Sequence, residues 1–223
     1  MWMEGSTSGV YRMWFQHMDI NRISFYQYNT IIVGTGAAGL NAAVTLHKLG
    51  QKNIALITEG RYMGTSRNTG SDKQTYYKMT QCGSEPDSVR KMAKTLFEGG
   101  CVDGDIAMAE AAGSLRAFYH LVDIGVPFPF NKSGEYVGYK TDHDPLKRGI
   151  SAGPLTSKYM TECLERQAEE RGIPFFDGYQ AVRLLTEEKD GEKRAAGIIA
   201  LNKQKAASPD ERYAVFSAVN IIW

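Results

Sequence analysis

The stretch TIIVGTGAAGLNAAVTLHKLG, residues 30–50, decides the fold. It opens with the β-branched run Thr30–Val33, which is the composition of a strand buried on both faces. A glycine-rich turn follows, and residues 40–49 then carry apolar positions at helical spacing. A second apolar strand is expected at residues 53–58, with Glu59 at its carboxyl end. Strand, glycine turn, helix and strand form one βαβ unit, so the sequence predicts an α/β fold.

Each glycine of the turn has a physical task. Gly34 permits the tight turn out of the strand, and Gly36 lets a pyrophosphate approach the backbone because it has no side chain. Gly39 allows the helix to pack closely on the strand. The helix that begins here directs its amide groups and positive dipole end at the phosphates. The motif therefore predicts a dinucleotide site that includes Gly34, Gly36, Ala38 and Gly39.

An acidic residue follows the motif at the spacing that such sites use. Glu59 lies about 20 to 25 residues on, at the end of the second predicted strand. Its carboxylate can accept hydrogen bonds from the adenosine ribose hydroxyls, and its charge repels a 2′-phosphate, which disfavours NADP. The structural alternative is a tight turn followed by a solvated surface glutamate. Since FAD and NAD share this fingerprint, these residues alone leave both cofactors open.

Composition excludes several classes of function. Lys and Arg number 26 against 25 Asp and Glu, so no global basic field attracts nucleic acid or an anionic membrane. Cys82, Cys101 and Cys163 are dispersed, and with four histidines they form no set with metal-ligand spacing. No apolar run approaches the roughly 20 residues that span a bilayer. We expect a cytoplasmic protein with no metal, an N-terminal extension at residues 1–25 and one domain at residues 26–223.

Further elements are predicted by the positions of Gly, Pro and apolar residues. They are a loop at residues 60–73, helices at 86–99, 105–123 and 154–171, an irregular or hairpin segment at 126–153, and strands at 173–176, 181–186, 195–201 and 213–223. Asp190-Gly191 is a hairpin turn signal. The last apolar run has nothing after it to cover its end, so we expect the fold to be incomplete at the C-terminus.

Residues Thr30–Glu59, together with the segment GTSRNTGS at residues 64–71, resemble the family of succinate dehydrogenase and fumarate reductase flavoproteins, L-aspartate oxidase and soluble fumarate-reductase-like enzymes. The resemblance favours FAD over NAD. It implies a Rossmann-like FAD-binding domain with a parallel central sheet, inserted helices and a β-hairpin layer. In that family the loop wraps the pyrophosphate and the ring edge of the flavin, which here implies contacts from Gly64, Thr65, Ser66, Thr69, Gly70 and Ser71. Ser71 stands in place of the family's second glycine.

A weaker resemblance extends over residues 110–202. Residues 173–201 are similar to the family's hairpin whose first strand lays a backbone amide against the adenine, at Ala181 or Val182 here. Gly64 occupies the position where membrane-complex members carry the flavin covalently on a histidine, so we expect non-covalent FAD. The family continues with a capping domain, a returning segment and a helical tail. The chain thus resembles the first part of a discontinuous domain, which a partner chain or domain would complete.

The family's catalytic arginine lies in those later parts, so candidates for chemistry must come from loops of this chain. His143 and Arg148 resemble a family stretch near the flavin, where they could bind a substrate carboxylate or stabilise the reduced, anionic flavin. The alternative is that both are solvated loop residues with salt bridges to Asp142 and Asp144. Lys73 could approach the flavin carbonyl region or form a surface pair.

A group of aromatic residues leaves two interpretations open, since it could flank the flavin or fill the core between helices. Its members are Tyr76, Tyr77, Phe118, Tyr119, Phe128 and Phe130.

The resemblance implies an FAD-dependent oxidoreductase that passes a hydride between flavin and a small carboxylate-bearing substrate. One alternative is an NAD-dependent dehydrogenase. Residues 136–140 have the spacing of the Tyr-x-x-x-Lys pair of such enzymes, but they lie at the wrong place in the chain. Another is a non-catalytic chain, truncated or split, that needs a partner. The substrate, the electron donor and the oligomeric state leave no signal in the sequence.

Overall fold

The computed structural model describes residues 22–72, 74–82, 85–142 and 144–223. Most of the expected N-terminal extension therefore lies outside the described residues, as do Lys73 and His143. The helices and strands, in chain order, are β1 (Ser24–Val33), α1 (Ala37–Lys48), β2 (Ile54–Thr58), α2 (Thr65–Asn68), β3 (Tyr76–Tyr77), α3 (Val89–Glu98), α4 (Gly104–Asp123), β4 (Gly149–Ile150), α5 (Thr156–Glu170), β5 (Phe175–Asp177), β6 (Tyr179–Lys189), β7 (Glu192–Asn202), a short 3-10 turn (Lys203–Lys205) and β8 (Tyr213–Ile222).

The chain divides into two compact units. The first contains the described residues up to Thr65 together with Glu165–Trp223, and the second contains Ser66–Leu164. A six-stranded sheet in the order β5-β2-β1-β8-β7-β6 belongs to the first unit. Its first four strands are parallel, and β7 and β6 continue the same sheet in antiparallel pairing. The prediction of an α/β fold with a parallel central sheet and a hairpin is confirmed.

The centre of this sheet is buried on both faces. Ile31 and Ile32 of β1 are fully buried, and every residue of β2 is buried as well. Helix α1 covers one face with Leu40, Ala43 and Val44. A continuous apolar run is the pattern that a doubly covered parallel strand requires, so the local sequence alone identifies this part of the fold.

Strand β1 begins at Ser24, six residues before the start that we predicted. The additional residues pair with β8, from Ser24 opposite Ala214 onward. Tyr26 within this stretch packs on Phe176 and Phe216, with ring centres 4.7 and 4.8 Å away. Residues 24–29 lack the β-branched run of residues 30–33, so their strand structure depends on pairing with the distant β8.

The β6–β7 hairpin turns at Asp190-Gly191, as predicted, and both residues have positive φ, 56° and 78°. The two strands pair with each other and are longer than expected: β6 ends at Lys189, and β7 begins at Glu192. Strand β7 also pairs with β8, and its residues Ile198 and Ala200 are buried. The hairpin is therefore an extension of the central sheet.

In the second unit, helices α3 and α4 pack through a small apolar cluster of Met92, Ala93, Ala107 and Ala111. Strands β3 and β4 form a two-residue ladder that the sequence did not predict. Its short length leaves no periodic signal, since period-2 alternation needs at least four residues.

Three aromatic residues of the predicted group pack together in the core of this unit. Phe118 is fully buried and its ring centre lies 5.9 Å from that of Tyr76 and 4.9 Å from that of Phe128. The core interpretation holds for these rings, whereas Tyr119 and Phe130 are exposed. Within the described parts of the chain, no helix has the length and apolar character of a membrane span.

Lys78 is an unusual member of this core. Its side chain is among the largest fully buried ones, and its ammonium lies 4.8 Å from the centre of the Phe118 ring. The Lys78 Nζ donates a hydrogen bond to the Met79 carbonyl oxygen at 3.4 Å. Burial lowers the pKa of Lys78 below its ordinary value of 10.5.

This burial yields a prediction for Lys78→Met. Between the lowered pKa and the ordinary one, the unfolded chain binds more protons, so wild-type stability should rise as the pH increases through that window. Lys78→Met should abolish the rise and should stabilise the protein at neutral pH by on the order of 1 kcal/mol, because no charge is then buried. Urea unfolding at several pH values measures both effects. Lys94→Met, at an exposed site, is the control, and a destabilised Lys78→Met protein would contradict the prediction.

Candidate cofactor site

The turn between β1 and α1 has the geometry that its glycines predict. Gly34 has φ +102°, which glycine adopts without strain. A β-carbon placed on Gly39 would lie 2.3 Å from the Gly34 carbonyl oxygen. No side chain can occupy that position, so helix α1 starts in direct contact with the end of the strand.

The amino end of α1 consists of glycine backbone and carries no side-chain cap. Gly36 is its N-cap residue, no side chain caps the helix there, and its first turn contains no acidic residue. A β-carbon on Gly64 would lie 3.9 Å from the Gly36 Cα atom, so both sides of the opening are glycine backbone. The positive dipole end of a helix makes such a position suitable for a phosphate group.

A pair of buried hydroxyls joins this turn to the end of β2. Thr35 donates to the Thr58 hydroxyl at 3.2 Å and lies 3.3 Å from the Arg61 carbonyl oxygen. The Gly60 amide donates in turn to the Thr58 hydroxyl at 3.4 Å. Because Glu59 stands between Thr58 and Gly60, its backbone is held beside the glycine turn.

The Glu59 carboxylate lies at the carboxyl edge of the sheet and is 44% exposed. Val33 at the end of β1 pairs with Ile57, so the turn and Glu59 share this edge. Lys203 donates to Oε1 of Glu59 at 2.9 Å. The carboxylate is thus accessible, and it is paired with one cation.

Arg61 fixes the loop after Glu59, a role that the sequence did not reveal. Its amide donates to Asp177 Oδ1 at 2.9 Å, and its guanidinium pairs with Glu165 and Glu169 of α5. The guanidinium also lies 4.0 Å from the centre of the Phe175 ring. Although partial burial opposes ionisation, the two carboxylates raise the pKa of Arg61.

Ala181 lies on β6, opposite Ala200, and is half-buried against the main core of the first unit. The pairing shifts between Ala181 and Arg183, which leaves Val182 outside the regular ladder. A bulge of this kind frees part of the backbone from strand pairing. It occurs at the two positions that we predicted to face an adenine.

The predicted flavin loop spans both units. Gly64 and Thr65 belong to the first unit, and the remaining loop positions, Ser66, Thr69, Gly70 and Ser71, belong to the second. The single turn α2 occupies part of what we predicted as loop.

Within the second unit this loop rests against the segment that leads into α5. The Ser71 amide donates to the Pro154 carbonyl at 3.0 Å, and a β-carbon on Gly70 would lie 3.1 Å from a Leu155 methyl. Gln74 and Ser157 exchange two hydrogen bonds, of 2.8 and 3.1 Å. These contacts give the loop a defined backbone.

Comparison with known proteins identifies the family. Residues 29–219 match the family described as FAD binding domain. The chain belongs to this FAD-binding family. The match covers the glycine turn, Glu59, the loop at residues 64–71 and the β6–β7 hairpin together, so the resemblance to FAD-dependent oxidoreductases is confirmed.

Individual relatives agree with this assignment. The chain is 29% identical over 195 residues to an L-aspartate oxidase of Pseudomonas aeruginosa, covering 80% of this chain and 34% of the relative. It is 33% identical over 179 residues to an 8-methylmenaquinol:fumarate reductase flavoprotein subunit of Wolinella succinogenes, covering 78% and 29%. Sdh1 of Mycobacterium smegmatis shares the fold, with a TM-score of 0.76 at 16% identity over 89% of this chain and 34% of that one. The chain spans about a third of the length of these proteins.

In this FAD-binding chain, Arg148 lies inside the second unit and is fully buried. Its Nε and Nη2 donate to the two oxygens of Asp87 at 2.9 and 2.7 Å. Its Nη1 contacts Asp144 at 3.3 Å, the Tyr77 hydroxyl at 3.1 Å and the Thr95 hydroxyl at 2.9 Å. The alternative of a solvated loop residue is wrong for Arg148, although its predicted pairing with Asp144 is present. Such a network favours a structural role, and the role of His143 stays a prediction.

The network shifts the titration of its members. Burial opposes ionisation of Asp87, but hydrogen bonds from Arg148 and from the Ser88 and Thr80 amides lower its pKa overall. Burial raises the pKa of Tyr77 to about 12, and the nearby Asp144 adds to this effect. The charged pair is therefore retained at neutral pH, held by bidentate geometry.

Gly39→Ala should destabilise the protein by about 1–3 kcal/mol, because the new methyl meets the Gly34 carbonyl and helix α1 must shift. Gly113→Ala, within α4, is the matched control. A β-carbon there meets nothing within 4 Å, so this change should stabilise by up to about 1 kcal/mol. Thermal unfolding of both variants tests the contact, and equal stability of the two would contradict it.

Arg148→Met should destabilise by about 3–5 kcal/mol at pH 7, because Asp87 would be buried without a cation. The deficit should shrink below about pH 4, where Asp87 is protonated in the unfolded chain and the wild type loses the stability that its lowered pKa contributes. Urea unfolding at pH 7 and at about pH 3 measures this. Arg148→Lys keeps the charge without the bidentate fork and should lie between. A mild effect at pH 7 would show that the pair is dispensable.

Proposed function

We propose that this chain binds FAD non-covalently and forms the cofactor-binding part of an oxidoreductase that acts on a small carboxylate substrate. The observation that carries the proposal is the glycine-lined amino end of α1 at Gly36, which shares one sheet edge with Glu59. An anion-binding end and a hydroxyl-binding carboxylate are the two groups that an adenosine diphosphate needs.

Different residues of the first unit would bind different parts of the cofactor. The backbone around Gly36, Ala38 and Gly64 would hold the diphosphate, because no side chain projects from the two glycines. Glu59 would accept hydrogen bonds from the adenosine ribose, and the backbone at Ala181 would contact the adenine. Thr65, at the end of this part of the unit, would contribute a further amide and hydroxyl.

Non-covalent attachment is supported by the residue at the family's attachment position. Gly64 carries no side chain, so it offers no nucleophile to the flavin. The bound flavin would supply hydride transfer, and the chain's own residues would bind and orient it.

The substrate proposal rests on the names of the relatives. One is an L-aspartate oxidase and another a fumarate reductase flavoprotein subunit, so both names refer to four-carbon dicarboxylates. Arg148 is not available to bind a substrate carboxylate, since it is buried in ion pairs with Asp87 and Asp144. We propose that groups for the substrate come from a further domain or a partner chain. An NAD-dependent dehydrogenase remains a weaker alternative, since the family match favours FAD.

Glu59→Gln should weaken FAD binding about tenfold or more, because a hydrogen bond to a charged carboxylate is lost. Titration of the purified chain, followed by quenching of flavin fluorescence, measures the affinity. Glu192→Gln, at an exposed hairpin site, should leave it unchanged. Acid precipitation should release all flavin into the supernatant.

The outcomes separate the competing functions. A wild-type chain that binds NAD and leaves FAD free would overturn the proposal. Rapid dicarboxylate reduction with a reduced dye would show that this chain needs no further domain or partner, and FAD binding without turnover would support the proposed division of roles.

A further inference from the structure

Lys203 contacts the acidic residue of the cofactor site from a distant part of the chain. It lies in the short 3-10 turn after β7, and its Nζ is 2.9 Å from Oε1 of Glu59. The two residues are separated by 144 positions in sequence. Neither the glycine motif nor the hairpin pattern predicts this contact.

The turn that carries Lys203 is itself held in place. The Lys203 amide donates to the Gly178 carbonyl at 2.9 Å, next to the end of β5. Asn202 caps the turn by accepting from the Gln204 amide at 3.1 Å, and its side chain donates to the Tyr179 hydroxyl at 3.1 Å. Lys203 therefore approaches Glu59 from a fixed backbone.

The pair itself contributes little to folding. Both side chains are more than two-fifths exposed, and ion pairs at such positions have small effects on stability. A fixed backbone that presents a cation to this carboxylate, with little gain in stability, suggests a role in binding.

We propose that Lys203 is a positioning residue, which holds the Glu59 carboxylate in the orientation that accepts the 2′-hydroxyl of an adenosine ribose. This inference rests on the proposed function, because it assigns a role within the same site. Lys203 engages Oε1, so Oε2 is the oxygen that serves the sugar. Without the ammonium, the exposed Glu59 side chain samples several rotamers, and ordering it on binding reduces affinity.

The experiment uses the 223-residue chain with ADP and 2′-deoxy-ADP. These differ only in the 2′-hydroxyl, from which Glu59 would accept a hydrogen bond. Isothermal titration calorimetry gives both affinities for the wild type, Lys203→Met, Lys203→Arg and Lys205→Met. Lys205 lies in the same turn and pairs with Glu211 at 3.6 Å, so its substitution makes the same change in net charge. Thermal unfolding verifies that each variant is folded.

The wild type should prefer ADP about tenfold, which is the size expected for a hydrogen bond to a carboxylate. Lys203→Met should weaken ADP binding about threefold to tenfold and leave 2′-deoxy-ADP nearly unchanged, so the preference largely disappears. Lys203→Arg should retain most of the preference, and Lys205→Met should retain all of it. In a Glu59→Gln background, Lys203→Met should have no further effect.

Three results would overturn the inference. They are an undiminished preference in Lys203→Met, an equal loss for both nucleotides, and an equal loss in Lys203→Met and Lys205→Met, which would point to net charge. A wild type that binds neither ADP nor FAD would instead overturn the proposed function. FAD binding with no preference between the two nucleotides would remove the contact of Glu59 with the 2′-hydroxyl and with it the role of Lys203, but it would leave the proposed binding of FAD intact.

Discussion

The contact between Gly39 and the Gly34 carbonyl is the constraint on which the first unit depends. A β-carbon on Gly39 would lie 2.3 Å from that oxygen, so no other residue fits without a shift of the backbone. The helix therefore begins immediately over the end of β1. This approach aims the amide end of α1 at the carboxyl edge of the sheet. Thr35 and Arg61 then bring Glu59 and the following loop to the same edge through buried hydroxyls and ion pairs. A helix dipole alone does not select a dinucleotide, and a carboxylate at the same sheet edge is the second group that such a site uses.

Arg148 illustrates how a residue suited to chemistry can serve packing. A buried guanidinium loses its hydration, and it is tolerated only where carboxylates and hydroxyls replace the water. Asp87 precedes the first turn of α3, Asp144 lies in a loop and Tyr77 in β3, so one cation ties three segments of the second unit together. The same property that makes arginine a good carboxylate ligand, its bidentate fork, makes it an effective internal brace. Residue type and loop position alone could not separate these roles.

The elements that the sequence predicted are those whose signals are local. The run Thr30–Val33, the glycine turn and the Asp190-Gly191 hairpin each follow from neighbouring residues, and the structure contains all three. The extension of β1 to Ser24 depends on β8, nearly 190 positions away, and the β3–β4 ladder on partners over 70 apart. Glu59 was predicted from spacing, but its partner Lys203 was not, because that contact spans 144 positions and exists only once the turn after β7 is held against Gly178.

The distribution of these groups has a consequence for how cofactor binding and chemistry relate. The amino end of α1, Glu59, Lys203 and the β6 bulge, which are proposed for the diphosphate, the ribose and the adenine, all lie within one unit whose core is a continuous sheet. The contacts that position them, from Thr35 to Thr58 and from Lys203 to Gly178, are made inside that unit. In the proposed site, recognition of the adenosine half would not depend on the flavin and substrate ends, because the groups for diphosphate and ribose would take no part in the reaction. Such a division is compatible with the different reactions that the names of the relatives describe.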